Sequence, residues 1–447
     1  MQSLALRKKT NVYKVMFMGW QHVLVMYAGA VAVPLILGAA LKLPKDQVAF
    51  LINADLFACG IATLIQCIGF GNVGIRLPVM MGVTFTAIGP LVAIGTDPQA
   101  GLLQIFGATI AAGLFGFLVA PFVGKLIRFF PPVVTGTEIL AVGLSLMVVA
   151  ASWSAGGYGN PDFGNPLYLS IASAVLVAIL IIVRFARGFL SNISILLGMM
   201  FGFLLALSAG QIDFSDVSRA PWFGIVVPFH FGVPQFSLWP IVAMCIVMLV
   251  TFIESTGMFL ALGEVVDKPV GEKELVRGFR ADGVGTMLGG VFNTFPYTSY
   301  AQNIGLISIT GVKSRWVCAL AGLFLVLLAL FPKVAMIIAS IPPYVLGGAG
   351  LVMFGMVAAS GIKVLSRVSF ADNKNLYVVA ISVAIGMIPV VSPQFFAKLP
   401  KDMAPILESP VLLTAICAVV LNVFFNGFGS AEETKNSLLT AAKEAEV

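Results

Sequence analysis

The sequence predicts an all-α polytopic membrane protein of fourteen transmembrane segments, arranged as two inverted repeats of seven, with strand-like breaks in segments 3 and 10. Three observations carry this reading. Of the 447 residues, 59% are hydrophobic and only 10% charged, whereas soluble domains carry about 25% charged residues. Apolar runs long enough for a hydrocarbon core, which takes roughly 20 residues per helix, recur along the whole chain. Two of those runs break into polar, β-prone sequence at matching places in the two halves.

The apolar runs lie at 15–39, 47–69, 79–95, 101–124, 133–151, 167–183 and 192–210, then at 239–263, 277–293, 296–310, 315–332, 338–360, 374–392 and 406–427. This divides the chain into an N-terminus (1–14), a first repeat (15–210), a connection (211–238), a second repeat (239–427) and a tail (428–447). With the N-terminus inside, 20 of the 26 Lys and Arg residues fall in cytoplasmic segments, and only Lys42, Lys45, Arg219, Lys333, Lys398 and Lys401 fall outside. Such asymmetry fits an even number of spans with both termini in the cytoplasm. The basic N-terminus runs straight into segment 1 with no small-residue cleavage site, so no cleaved signal peptide is expected. The net charge of +6 comes from basic residues scattered singly at loop ends, which speaks against nucleic acid as a partner. The connection is rich in aromatics and proline and reads as an extracellular surface layer that includes His230.

Segments 3 and 10 differ from the rest. They open with GVTFTAIGP from Gly82 and PYTSYAQNIG from Pro296, and each precedes a Pro-Pro step, at Pro131-Pro132 and Pro342-Pro343. From Thr84 to Pro131 is 47 residues and from Thr298 to Pro342 is 44, an internal repeat offset by roughly 213. Because seven spans is an odd number, the second repeat enters the membrane upside down. Broken backbone at membrane depth survives only where protein buries it or where it lines a cavity. Paired broken segments in inverted halves therefore point to a midplane binding site.

Ionisable residues inside spans are few, and each is a candidate functional group. Glu254 sits near mid-span in a strongly apolar stretch, either as a site carboxylate or as one satisfied by neighbouring backbone, and Gly257 leaves room on the same helix face. Asp282 is placed near the cytoplasmic start of its helix, as an N-cap or as a proton-coupling group. Glu138 is placed at a helix start, where it complements the dipole, and Asp55 reads as an interhelical hydrogen-bonding group. His22 is either a structural donor or a proton sensor, and His230 is read as structural. The five cysteines lie in apolar stretches without CxxC spacing and read as core residues. No HExxH, GxSxG or Walker-type loop occurs, so neither an intramembrane hydrolase nor a self-contained ATP-driven pump is supported. No metal site or cofactor is expected.

The segments QHVLVMYAGAVAVP (from Gln21), GVTFTAIGP, ESTGMF (from Glu254), RADGVGTMLGG (from Arg280) and QNIGLISITGVKSR (from Gln302) together resemble the nucleobase–ascorbate transporter, or nucleobase:cation symporter-2, family. The likeness covers residues 15 to 427, and Gln302-Asn303-x-Gly305-x-x-x-x-Thr310 is its most specific motif. Within the family the chain is most similar to bacterial xanthine/urate permeases. The resemblance implies short antiparallel strands in segments 3 and 10. It also implies a core domain of segments 1–4 and 8–11 and a gate domain of segments 5–7 and 12–14 that makes a homodimer contact. It casts Glu254 and Gln302 as substrate-binding side chains, Phe85 as the stacking ring, and Thr84, Tyr300 and Ala301 as neighbouring site residues. His22, Asp282, Asn303 and Gly257 would support binding, coupling or geometry. Met258 stands where uracil permeases carry His, which leaves proton coupling to Glu254, Asp282 or His22.

The chemistry agrees independently of the resemblance. An oxopurine edge alternates N–H donors with C=O acceptors; a carboxylate accepts from ring N–H groups, and a carboxamide pairs bidentately with an N–H/C=O edge. A flat base takes an aromatic face. The expectation is proton-coupled import of xanthine and/or urate through the bacterial inner membrane by elevator-like alternating access. The rivals are a permease for uracil or guanine/hypoxanthine, and a passive channel or anion transporter of the related sulfate-carrier architecture.

Overall fold

A computed structural model describes residues 12–96, 101–371 and 373–428; the remainder of the expected N-terminus and nearly all of the tail lie outside them. Numbering only helices of nine residues or more gives fourteen among the described residues, with two short strands. The first half holds α1 (Val12–Ala40), α2 (Lys45–Ile68), β1 (Met81–Val83), α3 (Ile88–Thr96), α4 (Gly101–Val119), α5 (Pro132–Ser154), α6 (Pro166–Phe185) and α7 (Ser194–Ser208). The second holds α8 (Leu238–Val265), α9 (Glu272–Val291), β2 (Tyr297–Ser299), α10 (Ala301–Thr310), α11 (Arg315–Leu328), α12 (Pro343–Leu365), α13 (Asn373–Val391) and α14 (Pro410–Asn426).

By length and apolarity alone, eight helices can cross a membrane, or ten if two bent pairs each count as one span. Those pairs join α11 to Pro332–Ala339 at 84° and Lys401–Leu407 to α14 at 72°. The helices that fall short follow from composition: α3 and α10 are half-helices completed by strands, and α9 carries Glu272, Glu274, Arg277, Arg280 and Asp282. Exposed Leu180, Ile181, Leu204, Leu376 and Ile381 give α6, α7 and α13 apolar outer faces, which are stable against lipid and costly in water.

Proline sets several helix starts. Pro132, Pro166, Pro343 and Pro410 each open a helix, where a missing N–H costs nothing and φ is already helical. This corrects the expected start of segment 12 at residue 338. The chain to Ala339 belongs to the bent pair with α11, and Pro342, by its effect on the preceding residue, delays the helix to Pro343. Segment 9 begins five residues earlier than expected, because Glu274 accepts the Gly271 N–H at 3.0 Å and caps α9 ahead of its apolar part.

Packing sorts the helices into two groups. α1–α4 pack with α8–α11, chiefly α2 on α11 and α4 on both α8 and α9; α5–α7 pack with α12–α14, chiefly α5 on α12. Small residues allow these approaches. A Cβ on Gly60 would lie 2.5 Å from the Gly322 carbonyl, one on Gly113 2.5 Å from the Met287 nitrogen, and one on Gly143 2.3 Å from the Ala358 nitrogen. α5 and α12 run antiparallel, with Gly136 against Leu365 and Gly347 against Ser154. The connection lies over helix ends, where Phe229 N–H donates to Val291 and Gln235 N–H to Leu103. His230 stacks on Phe50 with centroids 3.8 Å apart.

The antiparallel pair β1–β2 joins the halves, with Met81 opposite Ser299, Gly82 opposite Thr298 and Val83 opposite Tyr297. Thr84 N–H to the Pro296 carbonyl (3.0 Å) and Tyr300 N–H to the Met80 carbonyl (2.9 Å) extend it at either end.

Replacing Gly143 by Leu is expected to force α5 from α12 and destabilise by about 3 kcal/mol or more. Immunoblotting of membranes should show depleted protein, whereas Leu204→Ala on the outer face of α7 should leave abundance unchanged.

Candidate functional site

At each end of the strand pair the chain turns into a half-helix. On the β1 side, a 3-10 turn over Phe85–Ala87 follows Thr84, whose hydroxyl accepts the Thr86 N–H at 3.3 Å. On the β2 side, α10 starts directly after Tyr300. Helix starts carry free N–H groups and the positive end of the backbone dipole, so an acceptor is favoured near them.

Glu254 of α8 meets the first of these starts. Thr86 Oγ1 donates to Glu254 Oε1 at 2.7 Å, and Thr84 Oγ1 lies 3.5 Å from Glu254 Oε2. The next residue, Ser255, lies 3.3 Å from the Thr298 hydroxyl of β2. The carboxylate is thus fixed by two hydroxyls from segment 3, and Glu254 as a residue is partly buried. A Cβ added to Gly257 would meet nothing within 4 Å, and the same holds for Gly305 on α10, so open space adjoins both helices. Gln302 of α10 is exposed. Phe85 is partly buried and meets Phe354 of α12 edge-on, with centroids 6.0 Å apart. That contact links the two helix groups beside the site.

The other sequence-derived residues take different places. Tyr300 is buried; its hydroxyl donates to the Val83 carbonyl at 3.2 Å, and its ring occupies the space that a Cβ on Gly82 would need, 2.3 Å away. Its side chain therefore braces the strands, and only its backbone borders α10. Ala301 is the first residue of α10. Asn303 is fully buried, with Nδ2 donating to the His22 carbonyl at 3.0 Å and lying 3.1 Å from His22 Nδ1. Cys318 completes this group, 3.8 Å from the same ring nitrogen. His22 and Asn303 accordingly clamp α10 to α1, one residue beyond the exposed Gln302.

Asp282 is not an N-cap, since α9 begins ten residues before it. It is fully buried and accepts from Gln66 Nε2 at 2.9 Å, while Gln66 Oε1 accepts the Ile75 N–H at 2.9 Å. Glu138 also lies beyond the first turn of its helix, because α5 starts at Pro132. It is buried, and its Oε1 has no hydrogen-bond partner among the described residues. Sequence reasoning missed the Thr86 hydroxyl and Gln66. The alternation in Thr84-Phe85-Thr86 could have drawn attention to the first, but nothing local marks the second.

The same architecture occurs in solved transporters. The transmembrane domain of the cyanobacterial bicarbonate transporter BicA superposes with a TM-score of 0.61 at 15% identity, covering 93% of this chain and 98% of that domain. The anion-transporter relative SLC26A9 gives 0.60 at 12% identity, over 91% of this chain and 65% of that one. These likenesses show the fold and nothing finer. The family follows from sequence: the model described as "Permease family" matches residues 13–395, and the chain belongs to that family, the nucleobase–ascorbate transporters. It is a transporter and not an enzyme. The uric acid transporter UacT of Escherichia coli (strain K12) is 55% identical over 93% of this chain and 86% of its own length. The xanthine permease of Bacillus subtilis (strain 168) is 42% identical over 97% and 99%. Nucleobase transporter PlUacP of Paenibacillus larvae is 45% identical over 92% and 94%.

Asn303→Ala removes the donor that ties α10 to α1, and a buried hydrogen-bonding group left unpaired costs about 1–3 kcal/mol. Purified protein should melt at a lower temperature with and without ligand. An unchanged melting temperature together with lost ligand binding would instead place Asn303 in contact with substrate.

Proposed function

We propose that the protein imports an oxopurine base, xanthine and/or urate, through the bacterial inner membrane with protons as the coupling ion. The observation that carries this is the hydroxyl-fixed carboxylate of Glu254, with open space at Gly257 on the same helix, together with the exposed Gln302 at the start of α10. The printed names of the relatives, uric acid transporter and xanthine permease, support the same substrate class. With Thr86 and Thr84 holding its oxygens, Glu254 keeps lone pairs for ring N–H groups, and Gln302 supplies the complementary donor and acceptor. Phe85 offers an aromatic face, and the backbone at Thr84, Tyr300 and Ala301 borders the base. Gly257 keeps the approach open.

In this reading, α1–α4 and α8–α11 form the substrate-carrying core and α5–α7 and α12–α14 the gate, with the core moving across the gate in an elevator-like cycle. The fourteen helices serve as fourteen segments in two inverted repeats, both termini are cytoplasmic, and two gates meet in a homodimer. His22 and Asn303 hold α10, and Asp282 supports α2; proton movement is assigned to Glu254 or to Asp282 coupled to it. One charge crossing 100 mV contributes about 2.3 kcal/mol, which sustains an almost 50-fold concentration gradient. The site's hydrogen-bonding character predicts rejection of analogues lacking a matching group by several powers of ten.

Uptake of labelled xanthine and urate by cells expressing the protein tests the reading. Collapse of the proton gradient with a protonophore should abolish accumulation; undiminished accumulation would mean no coupling to protons. Glu254→Gln and Gln302→Ala should each lower apparent affinity at least about a hundredfold, the effect of losing charge-assisted or bidentate pairing, with membrane abundance maintained. Competition by uracil without competition by unlabelled xanthine would reassign the substrate.

A further inference from the structure

The site uses Asp282 but leaves its counterpart in the first half unexplained. Ala54-Asp55 occupies positions ten and eleven of α2, and Ala281-Asp282 occupies positions ten and eleven of α9. Both carboxylates are buried, and each has one oxygen hydrogen-bonded to the opposite half and a second oxygen, Oδ2, with no partner. Asp282 Oδ1 takes the Gln66 amide. Asp55 Oδ1 takes the Tyr297 hydroxyl at 2.7 Å and the Thr294 hydroxyl at 3.3 Å. The two aspartates are thus matched cross-braces, each anchoring the other repeat.

Tyr297 is the first residue of β2. Its side chain is fully buried against α2, its N–H donates to Thr286 of α9 at 3.1 Å, and its backbone pairs with Val83. The residue before it, Pro296, accepts the Thr84 N–H, and Thr84 and Thr86 hold Glu254. An unbroken chain of contacts therefore runs from Asp55 through Tyr297 and the strand pair to the site carboxylate. We propose that Asp55 is a positioning residue for substrate binding, acting through Tyr297 to hold the strand pair where Thr84 and Thr86 orient Glu254. This rests on the reading of Glu254 as the substrate-binding carboxylate. The Tyr297 hydroxyl lies between two acceptors of Asp55, side-chain Oδ1 at 2.7 Å and the backbone carbonyl at 3.0 Å, and only the first depends on the side chain. The other side-chain oxygen has no partner, so an amide that keeps Oδ1 preserves the brace and an isosteric hydrocarbon does not.

The test measures KM and Vmax for xanthine uptake, per transporter in the membrane, in the full-length protein. Asp55→Leu should raise KM about tenfold, the equivalent of one lost buried hydrogen bond, with Vmax within about twofold of wild type. Asp55→Asn should stay within about threefold in KM, because the amide oxygen still accepts from Tyr297. Tyr297→Phe, which removes the donor to both Asp55 acceptors, should raise KM at least as much as Asp55→Leu, and adding Asp55→Leu to it should cost nothing further. Equal loss in Asp55→Asn and Asp55→Leu would make the acid itself, not the acceptor, the requirement, and would overturn the proposal. So would additive effects in the double variant. If Asp55→Leu fails to reach the membrane, Tyr297→Phe decides alone, and a wild-type KM there refutes the brace. Glu254→Gln is run alongside: normal transport in that variant removes the site reading and this proposal with it. An inactive Glu254→Gln with a normal Tyr297→Phe removes only the role of Asp55.

Discussion

The constraint on which the rest of this molecule depends is that hydrocarbon offers no hydrogen bonds to a broken backbone. Segments 3 and 10 stop being helical at membrane depth, and their free N–H and C=O groups are satisfied by one another through β1 and β2 and by buried hydroxyls such as those of Thr63 and Thr286. Neither strand has a local partner, so each half of the chain is incomplete without the other. Once the strands pair, two half-helix starts and the face of α8 are brought to one place, and Glu254 acquires the Thr86 and Thr84 hydroxyls that fix it.

Much of the buried polar inventory serves that pair. The Tyr300 ring fills the space left by Gly82, and its hydroxyl closes on Val83. Thr286 takes the Tyr297 N–H, Gln66 joins Asp282 to the approach to β1, and Asn303 with His22 secures α10. In a low-dielectric interior such groups stabilise only when paired, so they also specify one arrangement of the strands. Gln302, one residue before the clamped Asn303, is by contrast exposed.

The two groups of helices are held differently. Within each, glycine allows backbone to approach backbone, as at Gly60 and Gly113 in one and Gly143 in the other. Between them, the contact beside the site is the edge of Phe85 on Phe354, which lacks the hydrogen bonds that would lock one position.

The sequence by itself determined the order and approximate limits of the helices, because apolar run length and proline at helix starts are local signals. The polar breaks at Gly82–Pro90 and Pro296–Asn303 exposed the site for the same reason, since polarity out of place is visible in one dimension. The isolated Glu254 and the Gln302-Asn303 motif were legible too. What only the tertiary structure decided is which way each side chain in those breaks points. Every residue from Met81 to Val83 and from Tyr297 to Ser299 is buried, so alternation along the strand gives no polar face to read. Tyr300 consequently turned into the protein, and Asn303 turned to His22 while Gln302 stayed exposed. Asp55 found Tyr297, 242 residues away, across a register that no local pattern encodes.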